Sequence, residues 1–342
     1  MLDTKQKKIL LLGLGLFMAP LLSHAQFSGI NIDQADTTTV EVTPLYPGGN
    51  TETRLEMTDA SFDIDSSLIE WVLNNRAMTK GVGLKFFEFT TRGVGNVDKV
   101  DVFITPSNKN RFKKTINIIP TEIDLVWQSD SYVPPFYRGK PLYSYQNKVT
   151  VFALTKFIDR GGREIPGTSL VYRWSRNGQV VSTASGYGKS SFGLENSIYL
   201  RDEVISVNVR TEDNSIVGEK EITLKGTAPK VLVYENHPLY GILYNKEVSG
   251  EFELKDKEVT FTASPYYFGT RSLASDLGYK WLINNVSSGN NFVGPSATFR
   301  QEGSGSGVSQ VTLKIDHSSK YLQSASKSFR LKFGEILNEA GI

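Results

Sequence analysis

Tyr172-Arg173-Trp174-Ser175-Arg176-Asn177-Gly178 is the stretch that decides the fold of this 342-residue chain, and Gln179-Val180-Val181 follows it. Polar and apolar residues alternate around one Trp, as is typical of a half-buried strand. The Asn-Gly pair then predicts a tight turn, so a second strand should return beside the first. Weaker copies of this unit stand at 69–75 (IEWVLNN) and at 279–285 (YKWLINN).

The spacing of the Trp residues in these three units indicates a repeat. Trp71 and Trp174 are 103 residues apart, and Trp174 and Trp281 are 107 apart, which is the size of one sandwich domain. The next long strand-like run follows each Trp after 31, 33 and 32 residues, at Val102, Val207 and Leu313. This pattern predicts that each Trp lies in a structural core, on a central strand that packs near the later one. Because Cys is absent, apolar side chains such as Val151 and Val207 should surround Trp174.

Short alternating runs separated by turn residues predict an all-β chain of three tandem immunoglobulin-like β-sandwiches. Linkers are predicted at Pro120-Thr121 and at Gly226-Thr227-Ala228-Pro229, and the third domain should repeat the strand order of the second. The predicted segments are a signal peptide (1–25), a lead-in (26–36), three sandwiches (37–119, 120–226 and 227–333) and a tail (334–342).

The N-terminus has the features of an export signal. Lys5, Lys7 and Lys8 precede an apolar run of 14 residues, which is short for a membrane span of about 20. Ser23-His24-Ala25 then offers a small-x-small cleavage site. We expect cleavage before Gln26; an uncleaved N-terminal anchor is the alternative, and it is the one membrane contact that the sequence predicts.

Composition excludes several classes of function. The chain is 39% hydrophobic with a net charge of +2, and the charge becomes 0 when the signal peptide is removed. A neutral surface with mixed charges gives no reason to expect nucleic acid as a partner. The absence of Cys excludes thiol nucleophiles, Cys-based zinc sites and disulfides.

The repeated unit resembles the immunoglobulin-like and PKD-like domains that bacteria string together on exported proteins. The resemblance rests on Tyr172-x-Trp174-x-x-Asn177-Gly178 and its two copies. The whole chain is also similar to a group of exported proteins from small-genome bacteria, through 134–140 (PPFYRGK), 240–246 (YGILYNK) and 300–303 (RQEG). The paired cysteines of antibody-type domains and the acidic turn of typical PKD domains are missing. The resemblance implies the fold and no particular activity.

The sequence predicts no catalytic residue, no metal site and no cofactor. His237 and His317 are isolated, so they cannot build a His-rich zinc site, and we expect both at a surface or an interface. The run 186–190 (GYGKS) ends like a phosphate-binding loop, but position 183 is Thr where that loop needs Gly. The run 303–307 (GSGSG) has Gly where a nucleophile elbow needs Ser. Both runs are interpreted as flexible connections.

Asp59, Asp63 and Asp65 cluster before the first Trp strand. Oxygen-rich loops at the ends of sandwiches can hold calcium between domains, although this spacing matches no calcium-loop motif. A solvated strand edge and a calcium site both stay open.

Aromatic residues crowd the start of the second and third predicted domains. The candidates for ligand binding are Tyr132, Phe136, Tyr137, Tyr240, Tyr244, Tyr266 and Tyr267. Exposed rings in a row could stack on sugars. Alternatively, rings that follow a linker could wedge against the neighbouring domain, because each buries about 150–250 Å².

These observations predict an exported, non-catalytic protein located outside the cell, at the cell surface or in the periplasm. Its sandwiches would form a rod that serves as a spacer, scaffold or adhesin, with envelope or surface proteins or glycans as partners. The alternative is an array of carbohydrate-binding modules that use the Tyr and Phe clusters. A carboxylate-based hydrolase is the third hypothesis, because the separation of carboxylates depends on the fold.

Overall fold

The structure, a computed structural model, describes residues 37–107, 110–195, 200–270, 272–287 and 294–334. These residues form three tandem immunoglobulin-like β-sandwiches, each built around its own buried core. The predicted signal peptide and lead-in, and the predicted tail beyond Gly334, lie outside the described residues.

The first sandwich packs a three-stranded sheet, in the order β1-β2-β5, on a four-stranded sheet, in the order β4-β3-β6-β7. The strands are β1 (Thr39–Thr43), β2 (Glu52–Thr58), β3 (Leu68–Leu73), β4 (Arg76–Val82), β5 (Phe86–Thr90), β6 (Asp98–Thr105) and β7 (Phe112–Ile118).

The second sandwich repeats this plan with the sheets β13-β9-β8 and β11-β10-β14-β15, and β12 also pairs with β10. The strands are β8 (Glu122–Ser129), β9 (Lys148–Lys156), β10 (Val171–Arg176), β11 (Gln179–Val180), β12 (Gly186–Tyr187), β13 (Ser191–Glu195), β14 (Glu203–Arg210) and β15 (Val217–Leu224), with a 3₁₀ turn at Gly167–Ser169.

The third sandwich has the sheets β17-β16-β19-β22 and β18-β24-β23-β20-β21. The elements are β16 (Lys230–His237), β17 (Gly241–Glu247), β18 (Glu251–Glu253), β19 (Glu258–Tyr266), α1 (Leu273–Asp276), β20 (Leu277–Ile283), β21 (Val286–Ser287), β22 (Ser296–Arg300), β23 (Gly307–His317) and β24 (Ser324–Phe333).

Two predictions about local structure are wrong. The third sandwich does not simply repeat the second, because β17 and β18 are inserted between β16 and β19. In the second sandwich the equivalent strands, β8 and β9, follow each other with no strand between them. β17 extends one sheet as a hairpin with β16, and β18 joins the other sheet parallel to β24. The run 186–190, predicted as a flexible connection, includes β12, whose Tyr187 pairs with Val171.

The nearly constant interval after each Trp in the sequence corresponds to strand pairing in the fold. Trp71 lies directly opposite Val102, Trp174 opposite Val207, and Trp281 opposite Leu313. All three indoles are buried, with exposed fractions of 0%, 0% and 1%. Val151 lies in the same core as Trp174, opposite Phe192 on the facing sheet.

Each buried indole has the same two partners. Its N–H donates to a backbone carbonyl that lies shortly before a strand of the facing sheet, at Leu84 (2.8 Å), Lys189 (2.8 Å) and Gly294 (3.2 Å). Its ring packs on a Phe of that same strand, at Phe87, Phe192 and Phe299, with centroids 5.4, 5.8 and 6.0 Å apart. The indole N–H is therefore satisfied inside the core, where an unpaired donor would be costly.

The turn after each Trp strand is also fixed by a repeated contact. Asn177 and Gly178 both have positive φ (49° and 77°), as a type I′ turn requires. Asn177 donates its backbone N–H to the Val204 carbonyl (2.8 Å), and its Oδ1 accepts from the Val204 N–H (2.9 Å). Asn74 makes the same pair with Lys99, and Asn284 makes it with Gln310.

In the second sandwich a buried carboxylate reinforces this turn. The Glu203 side chain is 0% exposed, and it accepts hydrogen bonds from Arg176 Nε (2.8 Å) and Asn177 Nδ2 (2.6 Å). These bonds lower the pKa of Glu203 below its ordinary value of 4.5, and the bond from Arg176 has the largest effect. Burial opposes the shift but does not cancel it. Glu203 therefore stabilises the fold in its charged form.

We expect Glu203→Ala to lower the stability of the second sandwich by about 3–5 kcal/mol, because it leaves the Arg176 charge uncompensated. The folded-state pKa is lowered, so this contribution is present above pH 4.5 and is lost as the pH falls through the folded pKa. Native-state hydrogen exchange of the β10 and β14 amides measures the change. Glu221→Ala, at an exposed position on β15, is the matched control; equal stability of the two variants would contradict the assignment.

Candidate functional site

A long connection of the second sandwich packs against the third. Residues 130–147 join β8 to β9, where a simple sandwich needs only a short hairpin. Pro134 and Pro135 lack backbone donors and keep this segment out of both sheets. A turn in which the Tyr137 N–H donates to the Pro134 carbonyl (2.9 Å) then presents Phe136 and Tyr137 to the third sandwich.

Main-chain hydrogen bonds join the two sandwiches directly. The Tyr132 N–H donates to the Phe268 carbonyl (2.6 Å), and the Tyr267 N–H donates to the Tyr132 carbonyl (2.7 Å). Tyr267 has a φ of 65°, a left-handed conformation that is a genuine outlier for a bulky residue. A strained backbone conformation persists only where surrounding contacts stabilise it, and residues with such conformations are concentrated at functional sites.

Aromatic residues from both sandwiches form one cluster, in which Tyr132 takes part through its main-chain bonds and the others through their rings. We call this cluster the aromatic interface: Tyr132, Phe136, Tyr137, Tyr234, Tyr244, Tyr266 and Tyr267. The Phe136 ring lies 3.9 Å from Tyr244 and 6.3 Å from Tyr234, measured between centroids. The Tyr137 ring lies 5.4 Å from Tyr266, edge to face, and its hydroxyl lies 3.0 Å from that of Tyr267.

A β-bulge brings Tyr244 into this cluster. β17 pairs Ile242 with Asn236 and Glu247 with Tyr234, so four β17 residues oppose one residue of β16. Bulges redirect side chains and interrupt an edge strand. The insertion that distinguishes the third sandwich therefore contributes to its contact with the second.

A network of buried polar side chains lies at the same boundary between the second and third sandwiches. Asn147 and Gln323 are 0% and 1% exposed, and Gln323 Nε2 donates to Asn147 Oδ1 (2.5 Å) and to the Tyr145 carbonyl. Asn147 Nδ2 donates to Ser131 Oγ and to the Tyr267 carbonyl (3.3 Å). Buried polar groups that are satisfied across a boundary specify one arrangement of the two sides, because any shift would leave them unpaired.

His317 supports the same boundary from the third sandwich. It is 8% exposed, and its Nδ1 accepts from the backbone N–H groups of Ser319 (3.1 Å) and Lys320 (3.2 Å). Its Nε2 lies 3.2 Å from the Gly269 carbonyl and therefore carries the proton. His237 instead stacks on Tyr240 near the tip of the β16–β17 hairpin.

Burial changes the ionisation of the interface phenols. Burial raises the pKa of Tyr267 to about 12, and its hydrogen bond with Tyr137 adds to the effect. Burial likewise raises the pKa of Tyr266, which also hydrogen bonds to Tyr234. Because these folded-state values exceed the ordinary value of 10.0, the contribution of Tyr267 to stability is complete below pH 10 and is lost as the pH rises through about 12.

The structure brings together six of the seven predicted ligand-binding residues. Tyr132, Phe136, Tyr137, Tyr244, Tyr266 and Tyr267 lie in the aromatic interface, with Tyr266 and Tyr267 buried and Phe136 and Tyr244 39% and 44% exposed. Tyr240 lies apart, 75% exposed beside Leu239 at the hairpin tip. Their assignment to a ligand stays a prediction.

Sequence reasoning missed the polar half of the boundary. Ser131, Asn147 and Gln323 are ordinary surface residue types, and no local pattern marks them as buried. The one available signal was the unusual length of the connection between β8 and β9, which favours a functional segment.

In the carboxylate cluster near the first Trp strand, hydroxyl groups hold Asp59. Asp59 accepts from Thr37 Oγ1 (2.9 Å), Thr38 Oγ1 (2.6 Å) and Ser61 Oγ (2.7 Å). Although burial opposes it, these bonds lower the pKa of Asp59 to about 2. Among the described residues no group of three or more His, Asp or Glu side chains could hold a metal ion. The same residues contain no helix that is long and apolar enough to cross a membrane.

Comparisons with known proteins bear on the fold alone. No family model and no curated protein matches the chain. Solved structures that match include the three N-terminal domains of the bacteriophage RB49 Highly Immunogenic Outer Capsid protein, at 10% identity over 87% of this chain and 99% of that one, with a TM-score of 0.27.

Two further matches have similar statistics. The fibronectin(III)-like modules of Clostridium thermocellum CbhA match at 11% identity over 55% of this chain and 94% of that one, with a TM-score of 0.26. The Bacteroides ovatus SGBP-B of a mixed-linkage glucan utilization locus, solved with a mixed-linkage heptasaccharide, matches at 9% identity over 87% and 70%, with a TM-score of 0.21. At these scores no functional conclusion follows for this chain.

We expect Tyr137→Ser to loosen the boundary between the second and third sandwiches, because it removes the ring that packs on Tyr266 and Tyr267. Exchange of the Tyr132 and Tyr267 amides should accelerate about tenfold for each 1.4 kcal/mol lost, and small-angle X-ray scattering should show a broader distribution of interatomic distances. Tyr187→Ser, at a 60% exposed position, is the control. Unchanged exchange in the Tyr137 variant would show that the rings do not hold the boundary.

Proposed function

We propose that this chain is an exported, non-catalytic protein of the cell envelope or surface, in which the sandwiches act as a rod-like spacer or scaffold for adhesion. The observation that carries the proposal is that two separate sets of hydrogen bonds join the second sandwich to the third. Main-chain bonds through Tyr132 and the Asn147–Gln323 pair would both break if either domain rotated. Domains joined by a linker alone move relative to each other by default.

A fixed angle between domains is what a spacer requires. A flexible array collapses towards a coil, whereas locked sandwiches hold a terminal domain at a set distance from the cell. The strain at Tyr267 and the bulge in β17 support this role, because both features are maintained at the boundary and contribute little to the core of either sandwich. Partners in this proposal are envelope or surface proteins or glycans.

Expression of the 342-residue chain, including residues 1–25, in a bacterial host tests the export part of the proposal. The apolar run and Ser23-His24-Ala25 should direct secretion, so N-terminal sequencing of the exported fraction should find Gln26 first. Ala25→Leu places a large residue at the cleavage site and should retain the leader. Recovery of an unprocessed chain in the cytoplasm alone would contradict export.

Carbohydrate binding is the second candidate function, and one observation favours it. Tyr240 stacks on His237 with centroids 4.7 Å apart and still remains 75% exposed. A ring that is supported on one face and open on the other can stack on the apolar face of a sugar, and little conformational entropy is lost because the ring is already held.

A glycan array separates this candidate from the scaffold proposal. If the hairpin tip binds sugars, the wild-type chain should bind defined glycans and Tyr240→Ala should weaken binding about tenfold or more, because the stacking surface is gone. Tyr321→Ala, at a 73% exposed position elsewhere, should bind as the wild type does. Equal binding by both variants would show that Tyr240 is not the sugar-binding residue, and no binding by the wild type would remove the carbohydrate candidate altogether. Both outcomes leave the scaffold proposal untouched.

A further inference from the structure

Three side chains that can react together meet at the boundary between the second and third sandwiches. Asn147 precedes β9, Asp130 follows β8, and Lys320 lies in the turn between β23 and β24. A Cβ added to Gly269 would collide with both Asn147 Oδ1 and Lys320 Nζ, and it would lie 3.0 Å from Asn147 Cγ. The amine and the amide oxygen are therefore within about 4 Å of each other, and only Gly permits this approach.

The Asn147 amide is held and polarised. Its carbonyl oxygen accepts a hydrogen bond from Gln323 Nε2 (2.5 Å), and its nitrogen donates to Ser131 Oγ and to the Tyr267 carbonyl. A donor at the carbonyl oxygen stabilises the negative charge that develops there when a nucleophile adds to the carbon. Because the side chain is 0% exposed, water is kept away from the carbon.

Lys320 has the surroundings of a lysine nucleophile. Its side chain is 23% exposed, and its Nζ lies 3.9 Å from Asp130 Oδ2. Burial lowers the pKa of Lys320, although the Asp130 charge opposes this effect; a lowered pKa increases the share of neutral amine. Asp130 is held next to the main chain of Lys148, the residue after Asn147, because its Oδ1 accepts a hydrogen bond from the Lys148 backbone N–H (2.9 Å).

We propose that Lys320 and Asn147 form an intramolecular isopeptide bond that joins the third sandwich covalently to the second. The neutral Nζ of Lys320 adds its electron pair to Cγ of Asn147, and Gln323 donates to the resulting oxyanion. The bond between Cγ and Nδ2 then breaks, and ammonia leaves with a proton that comes from Nζ and is relayed by Asp130. The products are one secondary amide and one ammonia molecule, so the reaction needs no oxidant, reductant or cofactor.

The bond would add a covalent link to a boundary that main-chain and side-chain hydrogen bonds already hold. It would lie between the turn at 318–323 and the end of the 130–147 connection. Pulling on the chain would then load this link instead of the hydrogen bonds between the domains. The inference does not depend on where the protein is displayed or on what it binds.

Intact mass spectrometry of the purified, denatured chain tests the proposal. The mass should be about 17 Da below that of the sequence, since one ammonia is lost. Tryptic digestion should yield a branched peptide in which Lys320 is resistant to cleavage and is joined to the peptide that contains residue 147. A wild-type mass that agrees with the sequence, in protein whose Tyr132 and Tyr267 amides are protected from exchange, would overturn the proposal and leave an ion pair only.

Matched variants assign the roles. Lys320→Arg keeps the positive charge but offers no equivalent amine, so it should restore the full mass while the boundary amides remain protected. Lys148→Arg changes the neighbouring lysine and should keep the loss of about 17 Da. Asp130→Ala should slow bond formation during refolding, because the proton relay is missing. Loss of mass that persists in Lys320→Arg would assign the ammonia to another site and overturn the proposal.

Discussion

Each sandwich of this chain has to bury one indole ring and still provide a partner for its N–H. The solution is the same three times: Trp71, Trp174 and Trp281 donate to a carbonyl that precedes a strand of the facing sheet. One side chain thereby sets the contact between the two sheets, because its ring packs on a Phe of that facing strand while its N–H holds the strand's start. The residue that pairs with each Trp on the neighbouring long strand is Val102, Val207 or Leu313, an apolar residue of the same core.

The turn that follows each Trp strand adds a second constraint. One part of this constraint is common to the three copies, and another part differs. Asn74, Asn177 and Asn284 all bind the backbone of the long strand through N–H and Oδ1. The first two copies add a buried carboxylate, Asp98 or Glu203, with an Arg partner. The third copy makes the backbone contact through Gln310. The backbone contact is therefore the shared requirement, and the charge is a reinforcement that can differ between copies.

The boundary between the second and third sandwiches is where the chain departs from its repeat. The 130–147 connection, the left-handed Tyr267 and the bulged β17 all deviate from an ideal sandwich, and all three meet there. Departures from local regularity persist only where other contacts compensate for them. Here the compensating contacts are between domains, so the irregular features concern how the sandwiches are joined.

The sequence by itself determined the all-β class, the repeat and the register of each Trp. These properties are local: alternation, Asn-Gly-type turns and fixed intervals act through neighbours along the strand or across one pair. The gathering of Tyr and Phe near the linkers was visible as well, with two explanations for it. Only the tertiary structure placed Tyr266 and Tyr267 against Tyr137 and left Tyr240 at an exposed tip. It alone brought Asn147 to Gln323, because contacts across 176 residues depend on how two finished sandwiches meet.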